Sequence, residues 1–94
     1  MRMYEGMFII KPDMAKEEHE KTAASIGDTI TKNGGRVLSL QKWARRALAY
    51  TIKKYAEGEY YLCSFEVEPA RIAGMKETYR LNENILRTLV IVKE

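Results

Sequence analysis

The hydrophobic pattern switches period several times along the chain, and each switch marks an element. Met3, Tyr4, Met7, Phe8, Ile9 and Ile10 form a nearly continuous apolar run, which predicts a central strand over Arg2–Ile10. Lys11-Pro12-Asp13 ends it, because proline brings no N–H to a strand ladder. Asp13 then stands where a side chain caps a helix, and the helix is expected to run to about Asn33. Glu17, Glu18 and Glu20 crowd its first turns and Lys32 closes its last, the order the helix dipole favours. His19, Ala23, Ile26 and Ile30 share a thin apolar stripe at helical spacing. Asn33-Gly34-Gly35 supplies the glycine for a left-handed cap.

The second half repeats the scheme with a hairpin inserted. Arg36–Lys53 reads as a strand region in which Leu48, Tyr50 and Ile52 alternate with Ala49, Thr51 and Lys53. The alternation breaks from Trp43 to Arg46, which predicts a bulge or bend. Tyr55-Ala56-Glu57-Gly58 reads as a turn, and Tyr60–Val67 as a third strand paired with the second. Pro69 occupies a first helical position. Ile72, Met75 and Tyr79 mark the buried stripe of a helix ending near Leu81. Asn82-Glu83-Asn84 turns the chain into a last β-branched strand, Ile85–Val92.

The order β-α-β-β-α-β is the ferredoxin-like plan, an α+β fold with a four-stranded antiparallel sheet and two helices on one face. Strand parity assigns Tyr4, Phe8, Ile10, Tyr61, Cys63, Phe65 and Val67 to the helix side, with Gly6 making room. It leaves Met3, Glu5, Met7, Ile9, Tyr60, Leu62, Arg87, Leu89 and Ile91 on the open side. So apolar an open face points to a covering partner. A register error of one residue would exchange the two sets.

At 94 residues the chain has room for one domain, 1–94, and its 46% hydrophobic content suffices for a core without staples. Cys63, the single cysteine, excludes an internal disulfide and a multi-cysteine zinc cluster. Its apolar neighbours mark it as a buried small hydrophobe, consistent with an intracellular protein. No apolar run reaches membrane-spanning length, so a soluble, cytoplasmic protein with no membrane partner is expected.

Charge sharpens the picture. The formal net charge is only +3, but Thr29–Ala56 holds no acid while containing Lys32, Arg36, Lys42, Arg45, Arg46, Lys53 and Lys54. The remaining nine cations share their segments with all thirteen acids. This split points to one surface suited to a polyanion, against the plainer alternative of lysine-edged strands that resist aggregation.

The residues offer little for catalysis. His19 sits among glutamates on an early helical turn, no carboxylate has a neighbouring base or nucleophile at triad spacing, and no glycine-rich loop follows a strand. Acyl-phosphate hydrolases of this topology place an arginine in a glycine-flanked loop after the first strand, whereas Lys11-Pro12-Asp13-Met14 has neither. The RNA-recognition motif shares the topology too. Its nearest counterpart here, Glu57-Gly58-Glu59-Tyr60-Tyr61-Leu62-Cys63-Ser64, lacks the leading cation and the main stacking positions. Phosphate recognition by cations remains, with Arg45 and Arg46 beside Trp43 as the planar, forked donors that suit it. Trp43 itself is expected to pack rather than to stack on bases. A small-molecule regulatory module is the main competing use of the fold.

Gly34-Gly35-Arg36-Val37, then Trp43-Ala44-Arg45-Arg46-Ala47-Leu48-Ala49-Tyr50-Thr51-Ile52-Lys53-Lys54, then Gly58-Glu59-Tyr60-Tyr61 carry a more specific signal. With Tyr4-Glu5 early and Asn84 and Arg87 late at matching separations, the chain resembles the family of the sixth protein of the bacterial small ribosomal subunit over nearly its whole length. The resemblance implies a non-catalytic, ferredoxin-like ribosomal protein without cofactors or a small-molecule substrate. It also implies binding to the central domain of 16S ribosomal RNA together with the eighteenth protein of that subunit. Carried over by position, the RNA-facing candidates are Arg2, Arg46, Lys54, Arg80 and Arg87; Arg45 and Lys53 join them on local charge. Two departures stand beside the likeness. Many relatives continue past the last strand with a charged or flexible tail, and the arginine pair is shifted slightly from the family's position.

Overall fold

A computed structural model of the chain describes residues 1–93. Its elements are β1 (Arg2–Ile10), α1 (Lys16–Lys32), β2 (Arg36–Ile52), β3 (Tyr55–Val67), a short 3-10 turn (Pro69–Arg71), α2 (Ile72–Leu81) and β4 (Ile85–Val92). The four strands form one antiparallel sheet in the order β2-β3-β1-β4, the ferredoxin-like arrangement.

The core lies between this sheet and the helices. Tyr4, Phe8 and Ile10 of β1 and Tyr61, Cys63, Phe65 and Val67 of β3 are buried there against Ile26, Ile30, Met75 and Tyr79. The strand parity expected from the sequence is therefore the observed one. Gly6 accommodates the Phe8 ring, since a Cβ there would approach it to 2.8 Å. On α1 the stripe is carried by Thr22, Ile26 and Ile30, while His19 is half-exposed. Thr22 fits a buried position because its hydroxyl donates to the Glu18 carbonyl at 2.9 Å and accepts from Asn84 Nδ2 at 3.2 Å.

Two local expectations need correction. Asp13 does not cap α1: the cap position is Ala15, without a side-chain bond, and the Asp13 carboxylate instead accepts a long 3.5 Å bond from the Tyr55 hydroxyl. The bend at Pro12–Met14 delays the helix by two residues, about half a turn. Nor is Tyr55–Gly58 the hairpin turn. β3 already begins at Tyr55, and the reversal is made by Lys53 and Lys54, with φ of 49° and 73°. A two-residue loop with both φ values positive is the type I′ turn, whose twist matches that of the strands it joins. Lysine hides it in the sequence, because asparagine and glycine are its usual signals. The expected irregularity near Trp43 is present, with the β2–β3 register shifting between Lys42 and Ala44. At the end of α1, Gly34 adopts φ +81° and the Gly35 N–H donates to the Ile30 carbonyl at 2.9 Å, closing the helix.

Candidate functional site

The hairpin formed by β2 and β3 is longer than the strand it packs beside. β1 ends with Ile10 opposite Glu59, so the segment from Arg46 around to Gly58 projects past the end of β1. Gly58 permits the close approach of β3 to Ile9, whose Cγ2 a Cβ there would strike. The projecting arm carries Arg46, Tyr50, Lys53 and Lys54, all exposed. It is tethered to the far edge of the sheet where Arg87 Nη1 of β4 donates to the Tyr50 hydroxyl at 2.9 Å.

The two adjacent arginines go to opposite faces. Arg46 places its guanidinium carbon 4.3 Å from the centre of the Trp43 ring, which meets Tyr60 edge-on at 5.8 Å on the open side of the sheet. Arg45 turns to the helix side, where its Nε lies 3.1 Å from Glu57 Oε1 and its Nη2 donates to the Pro12 carbonyl at 3.5 Å. Beside it, Lys42 Nζ lies 3.1 Å from Oε2 of the buried Glu59. Lys42 and Arg45 thus already have carboxylate partners, whereas Arg46 stacks on an aromatic ring and has no carboxylate partner among the described residues.

Arg80, near the end of α2, forks onto the Glu77 carboxylate, with Nε donating to Oε2 at 3.0 Å. This bond holds the Glu77 carboxyl below its ordinary pKa and raises that of Arg80. Lys53, Lys76, Arg80 and Arg87 surround one cleft of about 320 Å³ between α2 and β4. Lys76 was not among the sequence candidates. Its position four residues before Arg80 on the helix was the available signal.

Of the seven candidates, the fold gathers Arg46, Lys53, Lys54, Arg80 and Arg87 toward the hairpin end. Arg2 lies opposite Val67 at the other end of β1, roughly 26 Å away along the strand at ordinary strand rise. Arg45 is separated from the cluster by the sheet.

The open face carries a second feature. Met3, Leu89 and Ile91 are 40%, 47% and 52% exposed, with Met7 and Leu62 half-buried between them. Ile9, expected on this open face, is on it but is only 5% exposed, because Gly58 lets β3 settle against it. Met7, Ile9, Tyr60, Arg87 and Leu89 line a shallow hollow of about 230 Å³.

Among the described residues no group of three or more His, Cys, Asp and Glu side chains could hold a metal ion. No described helix is long and apolar enough to cross a membrane.

Architecture and surface together define a ferredoxin-like protein with a basic hairpin arm and an apolar open sheet. The family described as Ribosomal protein S6 matches residues 3–92, and the chain belongs to that family. The Small ribosomal subunit protein bS6 of Helicobacter pylori strain P12 is 40% identical over 94 residues, covering 100% of this chain and 66% of the relative. The protein of the same name from Acidobacterium capsulatum is 37% identical over 90 residues, covering 96% of this chain and 64% of the relative. The chain thus spans about two thirds of the length of these curated relatives. The crystal structure of 30S ribosomal protein S6 from Thermotoga maritima superposes with a TM-score of 0.89 at 29% identity, covering 98% of this chain and 87% of that one. The C-terminal domain of the MgtC protein from Mycobacterium tuberculosis, 12% identical with a TM-score of 0.65, shares the fold alone.

Proposed function

We propose that this chain acts, as one domain, as a non-catalytic component of the cytoplasmic small ribosomal subunit. It binds the central domain of 16S ribosomal RNA together with the eighteenth protein of the subunit. The observation that carries the RNA reading is the projecting hairpin. An exposed arm with Arg46, Lys53 and Lys54, flanked by Arg80 and Arg87, offers cations to phosphates without an acid interleaved on β2 or in the turn. Arg2 and Arg45 take part only if the RNA wraps beyond this end. The names of the relatives, small-subunit ribosomal proteins, support the same assignment.

The apolar open face supports the partner reading. Met3, Met7, Leu62, Leu89 and Ile91 form a strip of side chains of the kind found at the core of protein interfaces, with Tyr60 and Trp43 beside it.

The test is binding of a central-domain 16S RNA fragment across a salt series, with and without the eighteenth protein. The expected result is salt-sensitive binding that tightens when the partner is present. A folded protein that binds the fragment in neither condition would overturn the assignment.

A further inference from the structure

β4 is an edge strand, and its outer side has a defined pattern. The Lys93 N–H donates to the Met3 carbonyl at 2.9 Å, which fixes Met3 and Lys93 as a hydrogen-bonded pair. In an antiparallel ladder such pairs recur at every second residue, so Ile91, Leu89 and Arg87 also direct their backbone groups to β1. Thr88, Val90 and Val92 therefore direct N–H and C=O outward, where β4 has no neighbouring strand among the described residues.

This free edge forms one wall of the cleft described above, and α2 forms the other. Ile85, Leu86 and Val90 give the cleft an apolar floor, while Lys76 and Arg80 stand on the helical wall. Thr88 also lines it, and its Oγ1 is buried without a hydrogen-bond partner. β4 contains no acid, and Glu77, the one acid on α2, is engaged by Arg80. The cleft thus presents three things together: alternating backbone donors and acceptors at strand spacing, apolar side-chain seats, and positive rims.

We propose that this groove binds an extended acidic polypeptide segment, which joins the sheet as a fifth strand beside β4. Strand addition uses the outward N–H and C=O groups of Thr88, Val90 and Val92. Acidic side chains of the added strand reach Lys76 and the Nη1 of Arg80 that the Glu77 fork leaves outside, and apolar ones alternate onto the floor. A nucleic acid meets the cationic rims equally well. However, it would set phosphate oxygens against the outward carbonyls and has nothing to donate to them in register. The inference shares Arg80 with the RNA reading but rests on the outward backbone edge of β4, which that reading does not use.

The experiment uses isotopically labelled full chain and a short capped peptide of alternating glutamate and valine, titrated to millimolar concentration. The expected result is a shift of the Thr88 and Val90 amide signals and slower exchange of those amides with solvent. The same peptide methylated on every backbone nitrogen keeps its charges but should not bind. The double variant Lys76→Glu, Arg80→Glu should weaken binding by about tenfold or more, with unchanged β1 and β3 signals showing that it folds. Three results would each overturn the proposal. These are no response from the amides, binding of the methylated peptide as strong as that of the parent, and displacement of the peptide from Thr88 and Val90 by an oligouridylate. The last would reassign the groove to nucleic acid.

Discussion

Arg46 lies over the Trp43 ring at 4.3 Å, and this one contact separates it from its neighbour Arg45. The bulge between Lys42 and Ala44 brings Trp43 and Arg46 onto one face, so the guanidinium is oriented without being neutralised. In the RNA reading, Arg46→Ala should weaken binding and lower the magnitude of the log-log salt slope by about one. Arg45→Ala, which removes a cation already facing Glu57 at 3.1 Å, should leave the slope unchanged. Filter binding of both variants across a salt series checks the pair, and equal slopes for wild type and Arg46→Ala would remove Arg46 from the interface.

Met7 stands opposite Leu62 on one side and Leu89 on the other, in the middle of the open sheet. If the open face docks the eighteenth protein as proposed, Met7→Asp should impair that pairing while the isolated chain stays folded, because the side chain is not part of the helix-side core. Calorimetric titration of the variant beside its circular dichroism spectrum separates the two effects. Intact pairing would move the partner surface elsewhere.

Tyr79 donates its hydroxyl to the Ile26 carbonyl at 2.8 Å, bonding α2 to α1 inside the core. Its ring meets Phe8 edge-on at 4.8 Å. Tyr79→Phe keeps the ring packing and removes only the bond, so a loss of about 1 kcal/mol is expected. For a chain of this size that corresponds to a fall in Tm of roughly 4–8 °C. Urea denaturation of the two proteins measures it, and equal midpoints would show that the bond contributes no net stability.

The depth of Cys63 in the core makes stability fall at alkaline pH. Burial pushes its thiol pKa up to about 11 from 9.0. Below pH 9 the thiol is protonated in the folded and unfolded chains alike, and stability is fully present. Between 9 and 11 the unfolded chain releases the proton and the folded chain retains it. Stability then declines by up to about 1.4 kcal/mol per pH unit from this group. Burial raises the Tyr79 phenol as well, which extends the decline upward. Chemical denaturation from pH 8 to 11 should show a shallower slope in Cys63→Ala than in the wild type.

The topology was legible because the hydrophobic period changes at each element, and Phe8, Phe65 and Tyr61 favoured the parity observed, although with both faces apolar a slip of one residue would have exchanged them. The bulge at Trp43 was legible for the same reason, as a break in alternation. What escaped was set by geometry between distant segments. Asp13 looked like a cap, but its position relative to Tyr55 depends on where the hairpin swings. Arg45 and Arg46 looked alike as charges, and only Glu57 and the Pro12 carbonyl on one side, with Trp43 on the other, distinguish them. Lys76 escaped because its spacing four residues before Arg80 shows that the two share a helix face but not that the edge of β4 runs beside it.

The reversal at Lys53 and Lys54 has a consequence for anyone who would engineer a sturdier version of this protein. Both residues occupy backbone conformations that β-carbon-bearing side chains adopt reluctantly. An asparagine-glycine pair would fit the same corner with less strain, and stability screening would select it. The exchange would also strip two positive charges from the tip of the arm. If the arm binds RNA as proposed, optimising this loop for robustness alone would therefore tend to select proteins that fold better and hold RNA less well.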